Sequence, residues 1–184
     1  MLDLYIFYVD KNLDINIDNQ DVRNYLIDSK KIDFLPSLVA YSNLIRILKD
    51  KYQIRNLSFD FSKKPKLVDN KIFFNISHTE NVVVIGISNQ EIGIDIENLN
   101  RITSYNFNRI LSKEEYDYYV MLGRLNRFLI ETYVKKEAYL KYLGVGINTK
   151  FNQIDTTKLS FFKKKFKDYL ICVYPNIEKV NLYF

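Results

Sequence analysis

Cysteine, histidine and tryptophan are nearly missing from this chain of 184 residues, which has one of the first, one of the second and none of the third. The single Cys172 excludes an internal disulfide and any cysteine-cluster metal site, and it suits a reducing compartment such as the cytoplasm. His78 alone cannot build the common histidine zinc sites. No stretch approaches the ~18 consecutive apolar residues of a membrane-spanning helix. The opening Met1-Leu2-Asp3-Leu4 has neither the basic start nor the apolar run of a secretory leader, so none is expected. P-loop, dinucleotide and zinc-ligand patterns are absent too. What the chain does have is core-forming material: 47% of it is hydrophobic, and its aromatics are 13 Phe and 15 Tyr. A net charge of +5 and a pI near 9.0 favour an acidic partner, whether nucleic acid, anionic lipid, polyphosphate or acidic protein. Abundant Lys, Asn, Ile and Tyr also fit an AT-rich coding sequence, which accounts for part of that charge.

Residues 2–9 read as a strand, and Pro36 opens a helical pattern carried by Leu38, Tyr41, Ile45, Leu48 and Tyr52. Lys63-Lys64-Pro65 marks a loop, followed by three short strands over residues 72–77, 82–87 and 92–97. Ser112-Lys113-Glu114-Glu115 has the form of a capping box and opens a helix to about Leu122. A longer helix is expected over residues 126–143, stopped by Gly144 and Gly146. The chain closes with a strand over 169–174 and a short apolar tail. A helix followed by an apolar strand thus occurs twice, residues 82–87 answering 170–173. This gives an α+β chain of two related halves, 1–91 and 92–184, with little linker between them.

Three segments carry polar groups that could do chemistry. In Ile92-Gly93-Ile94-Asp95-Ile96-Glu97, strand alternation puts Gly93, Asp95 and Glu97 on one face. Two carboxylates so placed repel each other unless they are solvated or bridged by a cation, and an oxygen-only donor set selects a hard ion such as Mg²⁺. The plain alternative is a half-exposed strand with a polar outer face, and spacing alone leaves both open. Glu137 has Ile130, Tyr133, Val134, Leu140 and Lys141 as helical neighbours. It reads either as a metal ligand or general base in apolar surroundings, or as one half of an i,i+4 pair with Lys141. Phe74-Asn75-Ile76-Ser77-His78 ends a strand with two groups able to touch a phosphate, or with an ordinary hydrogen-bonded turn. The basic run Lys163-Lys164-Lys165-Phe166-Lys167 reads as a solvated face or turn, since no stacking platform accompanies it.

In this order the segments resemble the 4′-phosphopantetheinyl transferases of the surfactin-synthetase-activating (Sfp-like) type. The resemblance is carried by Lys64-Pro65, Phe74-Asn75-Ile76-Ser77-His78, Gly93-Ile94-Asp95-Ile96-Glu97, Leu111-Ser112-Lys113-Glu114-Glu115, and Lys136-Glu137-Ala138-Tyr139-Leu140-Lys141 with Gly144 and Gly146 after it. It runs from about Ser62 to Asp155. It implies a cytoplasmic monomer of two similar α/β halves related by pseudo-twofold symmetry, with coenzyme A in the cleft between them. The first half would bind coenzyme A; the second would hold the metal and meet the carrier protein. Asp95, Glu97 and Glu137 would hold Mg²⁺ on the pyrophosphate. Glu137 would also be the base for an incoming serine hydroxyl, and Lys141 would sit by the phosphates and help the leaving group. Ser77 and His78 would contact the coenzyme A phosphates, Lys64 and Pro65 would lie near its adenosine end, and residues 98–111 would border the carrier.

The implied reaction moves the phosphopantetheine arm of coenzyme A to a serine of an apo acyl or peptidyl carrier protein and releases 3′,5′-ADP. Such chemistry needs charge neutralisation more than covalent help, and the nucleophile belongs to the carrier, which fits a chain with no activated serine or cysteine of its own. Three positions depart from the family. Ser37 stands where an Arg often grips the 3′-phosphate, with Lys30 or Lys31 as substitutes; Lys63 replaces a Gly; and Tyr133 replaces a Trp. Two other readings remain: a non-catalytic relative that binds coenzyme A or carrier protein, and a basic nucleic-acid binder, for which three converging acids have no use.

Overall fold

The opening run of large aliphatic and aromatic residues becomes strand β1 (Leu2–Tyr8), the organising strand of the first unit. The computed structural model describes residues 1–10, 15–32, 34–69, 71–101, 106–145 and 150–184. These divide into two compact units, Met1–Glu91 with Val180–Phe184, and Ile92–Lys179.

In the first unit the polar stretch after β1 contains a helix that the sequence did not signal, α1 (Gln20–Asp28), capped by Asn19, whose side-chain oxygen accepts from the Val22 amide at 3.1 Å. Helix α2 (Leu35–Asp50) starts with Pro36 in its first turn, as expected, and buries Val39, Leu44 and Leu48. Tyr52 falls beyond the end of the helix, and its hydroxyl donates to Asp3 at 2.6 Å. Strands β2 (Phe59–Asp60) and β3 (Lys66–Leu67) form a small hairpin whose turn carries Lys64 and Pro65. Strands β4 (Phe73–Thr79) and β5 (Val82–Ser88) form a longer one. The sheet runs β4-β5-β1-β9, where β9 is Val180–Tyr183. Tyr5 lies opposite Ile85, which lies opposite Ile76, and this face packs with α2 to form the core. The apolar tail expected to close the second half is instead β9 of the first unit, parallel to β1 with Leu182 beside Leu4, so residues 180–183 pair the edge of β1 that faces away from β5.

The second unit begins with β6 (Gly93–Asn98) and continues through α3 (Phe107–Ile110), α4 (Lys113–Met121) and α5 (Asn126–Leu143). Ser112 and Glu115 make the expected capping box, each side chain bonding the other's amide. Gly144 ends α5 in the left-handed region at φ 68°, which suits glycine; Gly146 lies outside the described residues. After two short 3₁₀ turns, Phe151–Gln153 and Thr156–Lys158, strands β7 (Phe162–Phe166) and β8 (Tyr169–Tyr174) complete the sheet β6-β8-β7. The basic run is therefore an edge strand, and Lys163 is tied to Glu131 of α5 at 2.8 Å. Lysines on such an edge discourage pairing with other chains.

Each unit thus has a first strand, then helices, then a hairpin whose second strand returns antiparallel to the first. The two apolar strands that answer each other in the sequence are β5 and β8, interior in both sheets. Among the described residues no helix is long and apolar enough to cross a membrane.

Candidate functional site

In the second unit the acids come from β6 and α5, and Gly93 lets those elements meet. A Cβ on Gly93 would lie 2.0 Å from the Ala138 carbonyl oxygen and 2.3 Å from the Tyr142 amide nitrogen, so the helix backbone rests directly on the strand. Ile130, Val134 and Ala138, spaced by four, bury themselves with Leu170 and Cys172 of β8. Cys172 is the cross-strand partner of Asp95, so Asp95 lies on this helix-facing side, as does Glu97 two residues on.

Asp95 and Glu97 are only 7% and 5% exposed, which removes the reading of β6 as a strand with a solvated polar face. The Lys141 ammonium donates to Asp95 at 2.7 Å. Glu97 takes different partners: the Arg101 guanidinium donates to one oxygen and the Asn98 amide to the other, the latter at 2.8 Å. Glu137 is buried, and its Oε1 accepts from the Tyr133 hydroxyl at 3.1 Å. Burial raises the Glu137 carboxyl above its ordinary range and the charge of Asp95 adds to this, while Lys141 and the Tyr133 hydroxyl act the other way.

These residues fit a hard cation by chemistry: the donors are all carboxylates, and one of them feels the charge of another. They are not gathered as a ready cage. Among the described residues no three His, Cys, Asp or Glu side chains form a group that could hold a metal ion. Asp95 and Glu137 share one electrostatic environment, whereas Glu97 is turned to Arg101.

The residue beside Glu137 has a separate task. Lys136 is fully buried, ion-paired with Glu115, and donates to the carbonyls of Ile110 at 2.6 Å and Phe151 at 2.9 Å. Glu115 also accepts from the Ser112 amide at 2.8 Å and from the Thr156 amide and hydroxyl at 2.9 and 2.7 Å. It is thus both the capping residue of α4 and the counter-ion of α5. The sequence signals the cap; its second role depends on a lysine 21 positions away in the chain, to which no local pattern points.

In the first unit Ser77 and His78 are neighbours on β4, so alternation sends them to opposite faces of the sheet. His78 meets the edge of Phe34 with ring centroids 5.2 Å apart, and Ser77 is buried on the other side. Lys64 is half-buried and 3.9 Å from Glu91; burial lowers its ammonium from the ordinary lysine range, partly offset by Glu91. Pro65 is half-buried beside it. Ser37 is buried in the first turn of α2, and Lys30 and Lys31 are exposed just after α1. Of the stretch expected to border a carrier, residues 102–105 lie outside the described residues.

The family model described as ACPS, 4'-phosphopantetheinyl transferase superfamily, matches residues 91–172. That span holds β6, α3 to α5 and β7, and with them Asp95, Glu97, Glu137 and Lys141. The chain is 26% identical over 187 residues to the 4'-phosphopantetheinyl transferase gsp of Aneurinibacillus migulanus, covering 96% of this chain and 77% of that protein. It is 28% identical over 134 residues to the L-aminoadipate-semialdehyde dehydrogenase-phosphopantetheinyl transferase of Candida glabrata, covering 65% of this chain and 52% of the relative. A 57-residue stretch is 42% identical to a holo-[acyl-carrier-protein] synthase of Buchnera aphidicola, covering 31% of this chain and 43% of that one. The chain thus spans about half the length of the last two relatives.

Proposed function

We propose that this chain, a member of the 4′-phosphopantetheinyl transferase superfamily, moves the phosphopantetheine arm of coenzyme A to a serine of an apo carrier protein. The observation that carries the reading is the buried group where α5 lies on Gly93: Asp95 and Glu137 with the Lys141 ammonium between strand and helix. Asp95, Glu97 and Glu137 would hold Mg²⁺, which supplies charge neutralisation on the pyrophosphate. Binding the ion would require Asp95 and Glu97 to exchange lysine and arginine for metal.

In the reaction the carrier's serine oxygen bonds to the β-phosphorus, the bond from that phosphorus to the bridging oxygen breaks, and 3′,5′-ADP leaves. Glu137 would accept the serine proton, and Lys141 would meet the negative charge that grows on the departing phosphate. Lys64, Pro65, Ser77 and His78 are assigned to coenzyme A. A chain of net charge +5 suits an acidic carrier, and we read it as a cytoplasmic monomer.

A second reading, binding without transfer, is favoured by one feature: Asp95 and Glu97 already have cationic partners. Intact-protein mass spectrometry of an apo carrier incubated with this chain, coenzyme A and Mg²⁺ separates the two. A phosphopantetheine mass gain that EDTA prevents supports transfer. No gain on several unrelated carriers, with coenzyme A still bound, supports the second reading.

A further inference from the structure

Tyr133 lies one helical turn before Glu137 on α5, and its hydroxyl donates to Glu137 Oε1 at 3.1 Å. Its ring is fixed independently of that bond. It lies nearly parallel to Phe151, with centroids 5.4 Å apart and planes 8° apart, and it packs on the cluster of Ile110, Leu111, Tyr119 and Leu129. Phe151 is itself held, because its carbonyl accepts from the buried Lys136 ammonium at 2.9 Å. The same residue therefore braces Tyr133 with its ring and accepts from Lys136 with its backbone carbonyl.

A glutamate side chain has several rotatable bonds, and the Glu137 carboxylate feels the negative charge of Asp95. Repulsion of this kind drives a flexible acid away from its neighbour unless something tethers it. An O–H on a clamped aromatic ring is such a tether: it fixes one carboxylate oxygen without bringing another full charge into the site. We infer that Tyr133, braced by Phe151, is a positioning residue that holds the Glu137 carboxylate in place for the transfer. The inference rests on the transferase reading above and assigns the tyrosine to neither substrate nor metal.

Tyr133→Phe removes the hydroxyl oxygen and keeps the stacked ring, and Phe151→Leu keeps the oxygen and removes the stack. With coenzyme A, Mg²⁺ and an apo carrier, Tyr133→Phe is expected to lower kcat about tenfold while KM for coenzyme A stays within about twofold, because misplacing a reacting group acts on the transition state. Its melting temperature should match that of the unsubstituted chain, and Phe151→Leu should lower kcat in the same direction. A crystal structure of Tyr133→Phe should show the Glu137 carboxylate displaced or split between two rotamers. An unchanged kcat with an unmoved carboxylate overturns the inference. So does a loss confined to KM, or one that follows a fall in melting temperature. If the unsubstituted chain transfers nothing, the functional reading fails, and the Glu137 rotamers in Tyr133→Phe still decide the positioning.

Discussion

Asp95 and Glu137 come from different elements and have different partners, so their removal has separable effects. Asp95→Ala leaves the partly exposed Lys141 able to turn to solvent, and Glu137→Gln keeps the shape of the side chain and an oxygen for the Tyr133 hydroxyl to bond. Each is expected to lower transfer by about 100-fold or more with the fold retained, measured as the initial rate of carrier mass gain alongside circular dichroism. Full activity in either variant removes that residue from the site. Gly93 is the opposite case, a position where the structure dictates the residue. Gly93→Ala would drive a methyl to 2.0 Å from a backbone oxygen of α5, which cannot swing aside as a side chain tip can. The expected loss is about 3 kcal/mol or more in urea unfolding, with activity falling as the helix lifts from the strand.

At the scale of elements, α5 is held on two sides by unlike means. Toward β6 and β8 it uses close apolar packing, Ile130, Val134 and Ala138 against Leu170 and Cys172. On its other side the buried Lys136–Glu115 pair ties it to the end of α3, the start of α4 and the turn at Phe151. Every polar atom that pair brings inside finds a partner in helix ends and turns, which offsets the loss of hydration. Glu115→Ala strands the lysine, and a loss of about 3–5 kcal/mol is expected by denaturant titration. Combining Lys136→Met with Glu115→Leu should recover part of it, because two apolar groups leave no buried charge. A double variant no more stable than Glu115→Ala would show that the helix ends depend on the polar contacts themselves. The capping box was legible in Ser112-Lys113-Glu114-Glu115 because it is local. The ion pair was not, since a lysine in a helical pattern reads as solvated.

At the scale of the whole chain, the first and last strands lie side by side in the first unit, parallel from Leu2 beside Val180 to Tyr5 beside Tyr183. Asp3 fastens them: Asn181 donates to it at 2.7 Å, Tyr52 at 2.6 Å and Lys51 at 3.0 Å. Lys51 also sits over the Tyr183 ring, 3.6 Å from its centroid. Burial alone would raise the Asp3 carboxyl, but these donors outweigh it and hold it below the ordinary range. A carboxyl lowered by folding stabilises fully above its unfolded value, near pH 4, and the gain is lost as pH falls through the folded value. Melting temperatures followed from pH 7 downward should therefore fall less steeply at the acid end for Asp3→Asn than for the unsubstituted chain, starting from a lower value at pH 7. Equal acid slopes would remove Asp3 as the fastening group.

The sequence by itself determined what is local or periodic. Alternation in Gly93-Ile94-Asp95-Ile96-Glu97 placed both acids on one strand face, four-residue spacing and Gly144 bounded α5, and the order of short motifs carried the resemblance to the superfamily whose model matches residues 91–172. Only the tertiary structure decided that β6 is buried rather than half-exposed, that Lys141 meets Asp95 and Arg101 meets Glu97, and that Ser77 and His78 face apart. It alone returned the tail to β1 and made a strand of the basic run. The physical reason is range. Capping, alternation and helical period act over a few residues, whereas burial, ion pairing and strand partnership depend on groups brought together from distant parts of the chain.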